Sequence, residues 1–401
     1  AVGDGVTNDT AAIQAALDDA GPSPVYLPRG TYKVSGVTLG SGQTLFGDGK
    51  GETVLLANVS DTDGISAVGS SGTHLHDITI RDLTVQGYSG GSNQSCISLD
   101  YVDDAVVCDV ELIEARINGL DVFRSTNVRV DRVDVHDVQT FGILCYESTG
   151  VTVTNCYVHD LDEAGRGHLG LQFKNCVGCK AIGNRFANIE GYGFYTWTDG
   201  LGTDCANITA IGNTFSGIAG AAGGGEYARL SVYIHTTNNV VITGNQVYDS
   251  WDGVSVEASN DVVVSGNRIV GPDDGGNGVS LYQVNRASVA DNVISGLPIG
   301  VAVTGGSDTA TVSGNIVTDG VYASYLYAGI RVWDADNVRV VGNTASDTRG
   351  GSAQQRRGIS VESTATGTVV AFNTATGNLD ADIVMDDTTG IAYGNITDLS
   401  Q

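Results

Sequence analysis

Three observations predict an all-β chain wound as a parallel β-helix with one short N-terminal capping α-helix. The first is a recurring unit. Gly253 to Asn267 reads GVSVEASNDVVVSGN, and similar units start at Gly278 (GVSLYQVNRASVADN), Gly300 (GVAVTGGSDTATVSGN), Gly329 (GIRVWDADNVRVVGN) and Gly358 (GISVESTATGTVVAFN). A repeat of this length with two or three short strands and no helical period is one coil of a solenoid. The second is the asparagine that closes the second strand: Asn155, Asn184, Asn213, Asn245, Asn267, Asn292, Asn315, Asn343, Asn373 and Asn395 recur every 22 to 32 residues. Asparagine tolerates left-handed backbone and can bond to its own kind one coil above, so a column of them marks a tight turn repeated on every coil. Asp109 and Asp131 are expected to extend that column toward the N-terminus. The third is composition: 56 glycines, 5 prolines and only 16% charged residues suit many short strands separated by turns.

Taken in order, residues 1–22 form the cap. Asn8, Asp9 and Thr10 offer N-cap chemistry, Ile13, Ala16 and Leu17 share a helical face, and Gly21 ends the run. Such a helix covers the open apolar end of the first coil. Residues 23–95 make the first coils, 96–395 the regular coils and 396–401 a tail. A solenoid grows by adding coils, so all 401 residues are expected in a single domain. Seven cysteines, Cys96, Cys108, Cys145, Cys156, Cys176, Cys179 and Cys205, fall mostly at strand positions and read as small buried hydrophobes. Cys176 and Cys179 form a CxxC without the second pair that a zinc site needs.

The stretches GDGVTNDTAAIQAALDDAG, VYLPRGTYKVSG, GDGKGETVLLA and IRDLTVQG (Ile80 to Gly87) resemble the N-terminal signature of the pectate-lyase-like β-helix superfamily, in its rhamnogalacturonase and epimerase branch. They are especially similar to the catalytic modules of mannuronan C5-epimerases. The resemblance implies a right-handed β-helix acting on a polysaccharide, with calcium a candidate cofactor because uronate-active β-helices often use it. The departures matter as much. The epimerase Asp-Pro-His-Glu run is absent, and the nearest strand starts, Asn118-Gly119-Leu120-Asp121 and Tyr192-Gly193-Phe194-Tyr195, are not followed by Pro-His. The paired aspartates and Gly-His-Gly of polygalacturonases are also missing.

A site must therefore be argued from the coils. Strand side chains alternate, and coils stack about 4.8 Å apart, so outward positions form two columns on one face. These are Ser98/Asp100, Asp121/Phe123, Leu144/Tyr146, Gln172/Lys174, Tyr195/Trp197, Tyr233/His235, Ser255/Glu257, Ser280/Tyr282, Ala302/Thr304, Arg331/Trp333 and Ser360/Glu362. Tyr146, Trp197 and Tyr282, with Gln172, Arg331 and Trp333, are candidate substrate-binding residues, because exposed rings are costly unless something flat stacks on them. Insertions at Leu161 to His168, Ile218 to Leu230, Val321 to Ala328 and Arg349 to Arg357 precede coil-starting strands and would wall a groove, bringing Arg166, His168 and Arg229 to it.

Lys174 with Tyr195, Tyr233 and His235 suits proton abstraction beside a uronate carboxylate: the cation acidifies the C5 proton, and a His or Tyr takes it. This favours a polysaccharide lyase or C5-epimerase. The alternative is a glycoside hydrolase, which needs two carboxylates about 5 to 9.5 Å apart. Its candidate pairs are Glu257 with Asp252 or Glu226, and Glu147 with Asp121 or Asp199. A third reading is a non-catalytic glycan-binding β-helix, which would keep the aromatic row without an acid or base. A phage-type trimeric tailspike is disfavoured because no trimerisation segment follows the last coil, so a monomer is expected.

The formal charge of −26 leaves no basic stripe for nucleic acid. No run of 18 apolar residues predicts a membrane span. The sequence begins at Ala1 without a signal-peptide pattern, as a mature secreted protein would, and an acidic surface fits secretion.

Overall fold

The computed structural model describes residues 1–59, 61–88, 94–161, 168–219, 230–272, 275–321, 327–350 and 354–398. The chain divides into two compact units, one built on residues 1–205 and the other on 206–219 and 228–401. Both are stacks of parallel coils, and the only described helix is Thr10–Ala20.

In the first unit that helix buries Ile13 and Leu17. Ala16 is exposed, because one row of side chains spaced four apart suffices to cover the coil beneath. The N-cap residue Asp9 makes no side-chain cap; Asn8, one residue ahead, accepts the Thr10 N–H on its Oδ1 at 3.0 Å. The Asp9 carboxylate instead turns back to the backbone N–H groups of Val2 and Gly3. Ahead of the helix, Asp4–Asn8 pairs in parallel with Gly30–Val34. No alternation of apolar residues in DGVTN announces that strand.

The coil face forms in the expected register. Ser98, Asp121, Leu144, Gln172 and Tyr195 are successive partners, as are Asp100, Phe123, Tyr146, Lys174 and Trp197. Between them Leu99, Val122, Cys145 and Phe173 point inward and are 0% exposed. All seven cysteines are free; six are buried, and Cys108 is half-buried.

The second unit repeats the pattern. Val254, Val279, Val301 and Ile330 form one inward column, Val256, Leu281, Val303 and Val332 the next. The coil-starting glycines are demanded by close approach rather than by unusual φ. A Cβ on Gly278 would stand 2.6 Å from the Gly300 carbonyl oxygen, and one on Gly300 equally close to that of Gly329.

The asparagine column is a hydrogen-bonded ladder. From Asn213 through Asn245, Asn267, Asn292, Asn315, Asn343 and Asn373 to Asn395, each residue donates both its backbone N–H and its side-chain amide to the next Oδ1, at 2.9–3.0 Å. The left-handed residue is the one before: Gly212, Gly244, Gly266, Asp291, Gly314, Gly342, Phe372 and Gly394 have positive φ. In the first unit this corrects the sequence reading. Asp109 and Asn155 hold the left-handed position, Asp131 lies one residue ahead of the left-handed Arg132, and the ladder position behind Asn155 is filled by Cys156, whose N–H donates to Asn184 Oδ1 at 2.9 Å. Only Asn184 of the expected first-unit members is a ladder residue, because left-handed turns are tolerated by Asp, Arg and Asn alike while the buried inward position takes whatever fills it.

Among the described residues, no helix is long and apolar enough to cross a membrane.

Candidate functional site

The stacked register of the first unit gathers its aromatic residues. Phe123, Phe141, Leu144, Tyr146, Leu169, Gln172, Lys174, Tyr192, Tyr195 and Trp197 line a cavity of about 480 Å³. Lys174 reaches into it between two rings, its Nζ 4.9 Å from the centroid of Tyr146 and 4.7 Å from that of Trp197. These rings belong to the coils before and after, so the cation is held by its nearest neighbours in the stack. Tyr192 stacks on Tyr195 with centroids 5.1 Å apart. The sequence reading missed Tyr192, three residues from Tyr195 on an alternating strand. Gly191, with φ of +146°, marks the corner where Arg185–Trp197 passes from one sheet to the other, and a Cβ there would meet the His168 carbonyl at 2.2 Å; the alternation then skips at the buried pair Gly193-Phe194, which puts Tyr192 on the same side as Tyr195.

Lys174 is ion-paired. Its Nζ lies 2.9 Å from Asp199 Oδ2, and the Asp199 side chain is 8% exposed. Asp199 is further held by Asn175 Nδ2 at 2.7 Å and by the Leu201 N–H at 2.9 Å. The Asn175 amide above all, then the Leu201 N–H and the lysine, draw its carboxyl down to about 2. Asp199 therefore stays ionised and cannot be the acid of a hydrolytic pair, which leaves it only the base or nucleophile role beside Glu147. An ammonium has three donors, so Lys174 keeps N–H capacity for a ligand beyond the one given to Asp199. The Tyr146 phenol is pushed up, chiefly by its hydrogen bond to Glu147, and is a proton donor rather than a base.

Asp121 lies at the edge of this face but is 6% exposed. Ser95 Oγ donates to it at 2.5 Å and Asn118 Nδ2 at 2.7 Å. Burial outweighs both and pushes its carboxyl up to about 6. Because the folded value lies above the ordinary aspartate value of 3.8, the stability tied to the proton is complete below about pH 4 and lost as pH rises through 6. Asp121→Asn is accordingly expected to raise the unfolding free energy at pH 8 by up to about 3 kcal/mol and to change little at pH 4, as read by urea denaturation at both pH values. Equal effects at the two would show that the aspartate is not held protonated.

The remaining predicted residues divide. His168 is not a groove-wall residue: it is 0% exposed, because it begins the strand His168–Lys174 instead of ending a loop. Gln172 is buried but lines the cavity. Arg166, Arg229 and Glu226, and most of the four insertions, lie outside the described residues.

Tyr233, His235 and Glu257 belong to the second unit, where they form a group of their own. Tyr233 Oη donates to Glu257 Oε2 at 2.7 Å, its ring lies 5.8 Å from that of His235, and His235 Nδ1 is 3.0 Å from Thr236 Oγ1. Glu257 and Asp252 sit at opposite ends of one strand, Asp252–Glu257. Five residues of strand separate them by roughly 16 Å, so they cannot be a hydrolytic pair. Tyr282, the partner of Glu257 in the next coil, is 43% exposed. Arg331 is 8% exposed, paired with Glu362 at 2.6 Å and stacked 4.0 Å from the Trp333 ring centroid.

Calcium takes six to eight oxygen ligands, usually with several carboxylates. Among the described residues no three His, Cys, Asp or Glu side chains are grouped to hold a metal, so the site's chemistry is derived without one.

Comparison with known proteins places the chain. Residues 1–175 match the family described as rhamnogalacturonase A/epimerase, pectate lyase-like, and residues 230–396 the right-handed beta helix region. The mannuronan C5-epimerase AlgE2 of Azotobacter vinelandii is 28% identical over 275 residues, covering 64% of this chain and 25% of its own length. Alginate lyase 7 of the same bacterium is 30% identical over 196 residues, 44% of this chain and 21% of its own. The chain thus spans about a quarter of the length of these curated relatives. Among solved structures, the AlgE6 A-module of A. vinelandii superposes with a TM-score of 0.55 at 19% identity, covering 100% of this chain and 98% of its own. Gene product 12 of bacteriophage phi29 gives 0.66 at 16% identity, covering 98% of this chain and 55% of its own. At such identities the structural likeness concerns the fold alone.

Proposed function

We propose, for a chain that belongs to the pectate-lyase-like right-handed β-helices, that it acts on a uronate-containing polysaccharide bound in the aromatic cavity of its first unit, by elimination or C5-epimerisation. The observation that carries this is the setting of Lys174, a cation between Tyr146 and Trp197 inside a cavity walled by rings. A pyranose offers apolar C–H faces to such walls and its carboxylate to the ammonium. Neutralising that carboxylate stabilises the anion formed when C5 loses its proton. Tyr195 is the assigned base and Tyr146 the acid. Elimination breaks the C4–O bond, forms the C4–C5 double bond and returns a proton to the departing oxygen; epimerisation returns a proton to the opposite face of C5. Tyr233, His235 and Glu257 are proposed as a second proton-transfer group in their own unit. The names of the relatives, epimerases and an alginate lyase, point to the same substrate class. A polymer that does not enter cells implies a secreted protein.

Against hydrolysis, Asp252 and Glu257 are too far apart to be a pair, and Asp199 is already the counter-ion of Lys174. The deciding experiment incubates the chain with a panel of uronate and neutral polysaccharides. Products are followed by ultraviolet absorbance of unsaturated uronates, by proton NMR of C5 configuration and by reducing ends. New absorbance or inverted C5 supports the proposal. Reducing ends without unsaturation, or binding without any product, would replace it with hydrolysis or with a glycan-binding role.

A further inference from the structure

The second unit contains a pocket that the proposed reaction does not use. Trp251, Tyr327, Arg331 and Trp333 line about 340 Å³ together with the backbone of Gly275 to Asn277. Gly276 keeps it open: a Cβ there would stand 2.1 Å from Asp252 Oδ1 and 3.1 Å from Trp251 Nε1, so a carboxyl and an indole N–H converge on the same point. Arg331 directs both Nε and Nη2 to Glu362 Oε1, at 2.7 and 2.6 Å, while its guanidinium covers one side of Trp333.

We propose that this pocket is a separate binding site for a neutral oligosaccharide. Rings at its walls suit the C–H faces of sugars, and the polar groups among them offer both donors and acceptors, as vicinal hydroxyls require. Charge selects the class. Among the described lining residues Arg331 alone is charged and Glu362 cancels it, so a uronate carboxylate finds no uncompensated cation. Trp251 and Trp333 stand three coils apart, roughly 14 Å along the stack, and they flank opposite ends of their strands, so their backbones lie further apart still, which calls for a short oligosaccharide and not a single ring. The inference does not rest on the uronate chemistry of the first unit.

The chain has three tryptophans, so Trp197→Phe leaves only the two in this pocket as fluorescent reporters. That variant is titrated with cellohexaose, laminarihexaose and maltohexaose, and with a mannuronate hexasaccharide. A saturable change with at least one neutral hexasaccharide and none with the mannuronate is expected. Adding Trp333→Ala should weaken the binding roughly tenfold or more, read by calorimetry, with an unchanged melting temperature. Trp333→Tyr, which keeps a ring, should retain most of it. No response to any neutral sugar, a response to the mannuronate alone, or undiminished binding by a folded Trp333→Ala protein would each overturn the proposal.

Discussion

Lys174→Ala is expected to lower kcat/KM on the uronate polymer about 100-fold or more, the scale of removing one charge stabiliser from a developing anion. Tyr195 and Tyr146 are assigned the proton transfers and the other walls contribute binding, and among the described residues no other cationic side chain lines the pocket. The substitution also strips Asp199 of its counter-ion, so a fall in activity must be separated from a fall in stability. Asp199→Asn makes that separation. It keeps the shape and its contact with Asn175, releases the ammonium to the substrate and should preserve or increase activity. A hydrolase that used Asp199 as a carboxylate would lose activity with Asp199→Asn and tolerate Lys174→Ala. Kinetics of the two variants beside their melting temperatures decide between these chemistries; a fully active, folded Lys174→Ala protein would end the lysine mechanism.

Asn292→Ala should be among the most destabilising single changes in the second unit. Asn292 Oδ1 accepts from the backbone and side chain of Asn267, and its Nδ2 donates to Val264 O and Asn315 Oδ1. It is 0% exposed, so water cannot replace those partners. Alanine removes the partner of two donors on Asn267 and of the Val264 carbonyl, while Asn315 Oδ1 keeps the residue-292 backbone N–H; at about 1–3 kcal/mol for each buried group left unsatisfied, a loss of several kcal/mol is expected by urea denaturation. Coils contact chiefly their neighbours, and hydrogen exchange should locate the loss in the coils flanking residue 292. Asn292→Asp keeps an acceptor, loses the donor and buries a charge, so it should do no better at neutral pH. A loss below about 1 kcal/mol would mean that the ladder accompanies the turns without holding them.

The spacing of the repeats was enough to read the coil, the inward and outward columns and their register, because a period-two strand on a fixed rise leaves few alternatives. The Asn315 and Asn343 ladder was legible for the same reason. Where the period breaks, the reading broke too. Gly191 turns a corner, and the skip at Gly193-Phe194 puts Tyr192 beside Tyr195; His168 opens a strand and is buried; Asn155 takes the left-handed position while Cys156 goes inward. The pairing of Lys174 with Asp199, and the gathering of Trp251, Asp252 and Trp333 around Gly276, likewise follow from turns that have no period. The amino-acid order by itself determined a stacked β-helix with one chemically rich face. Which charges on it are already spent on each other, and which rings enclose a cavity, was decided only in three dimensions, because these depend on turn conformation and on burial, and neither repeats along the chain.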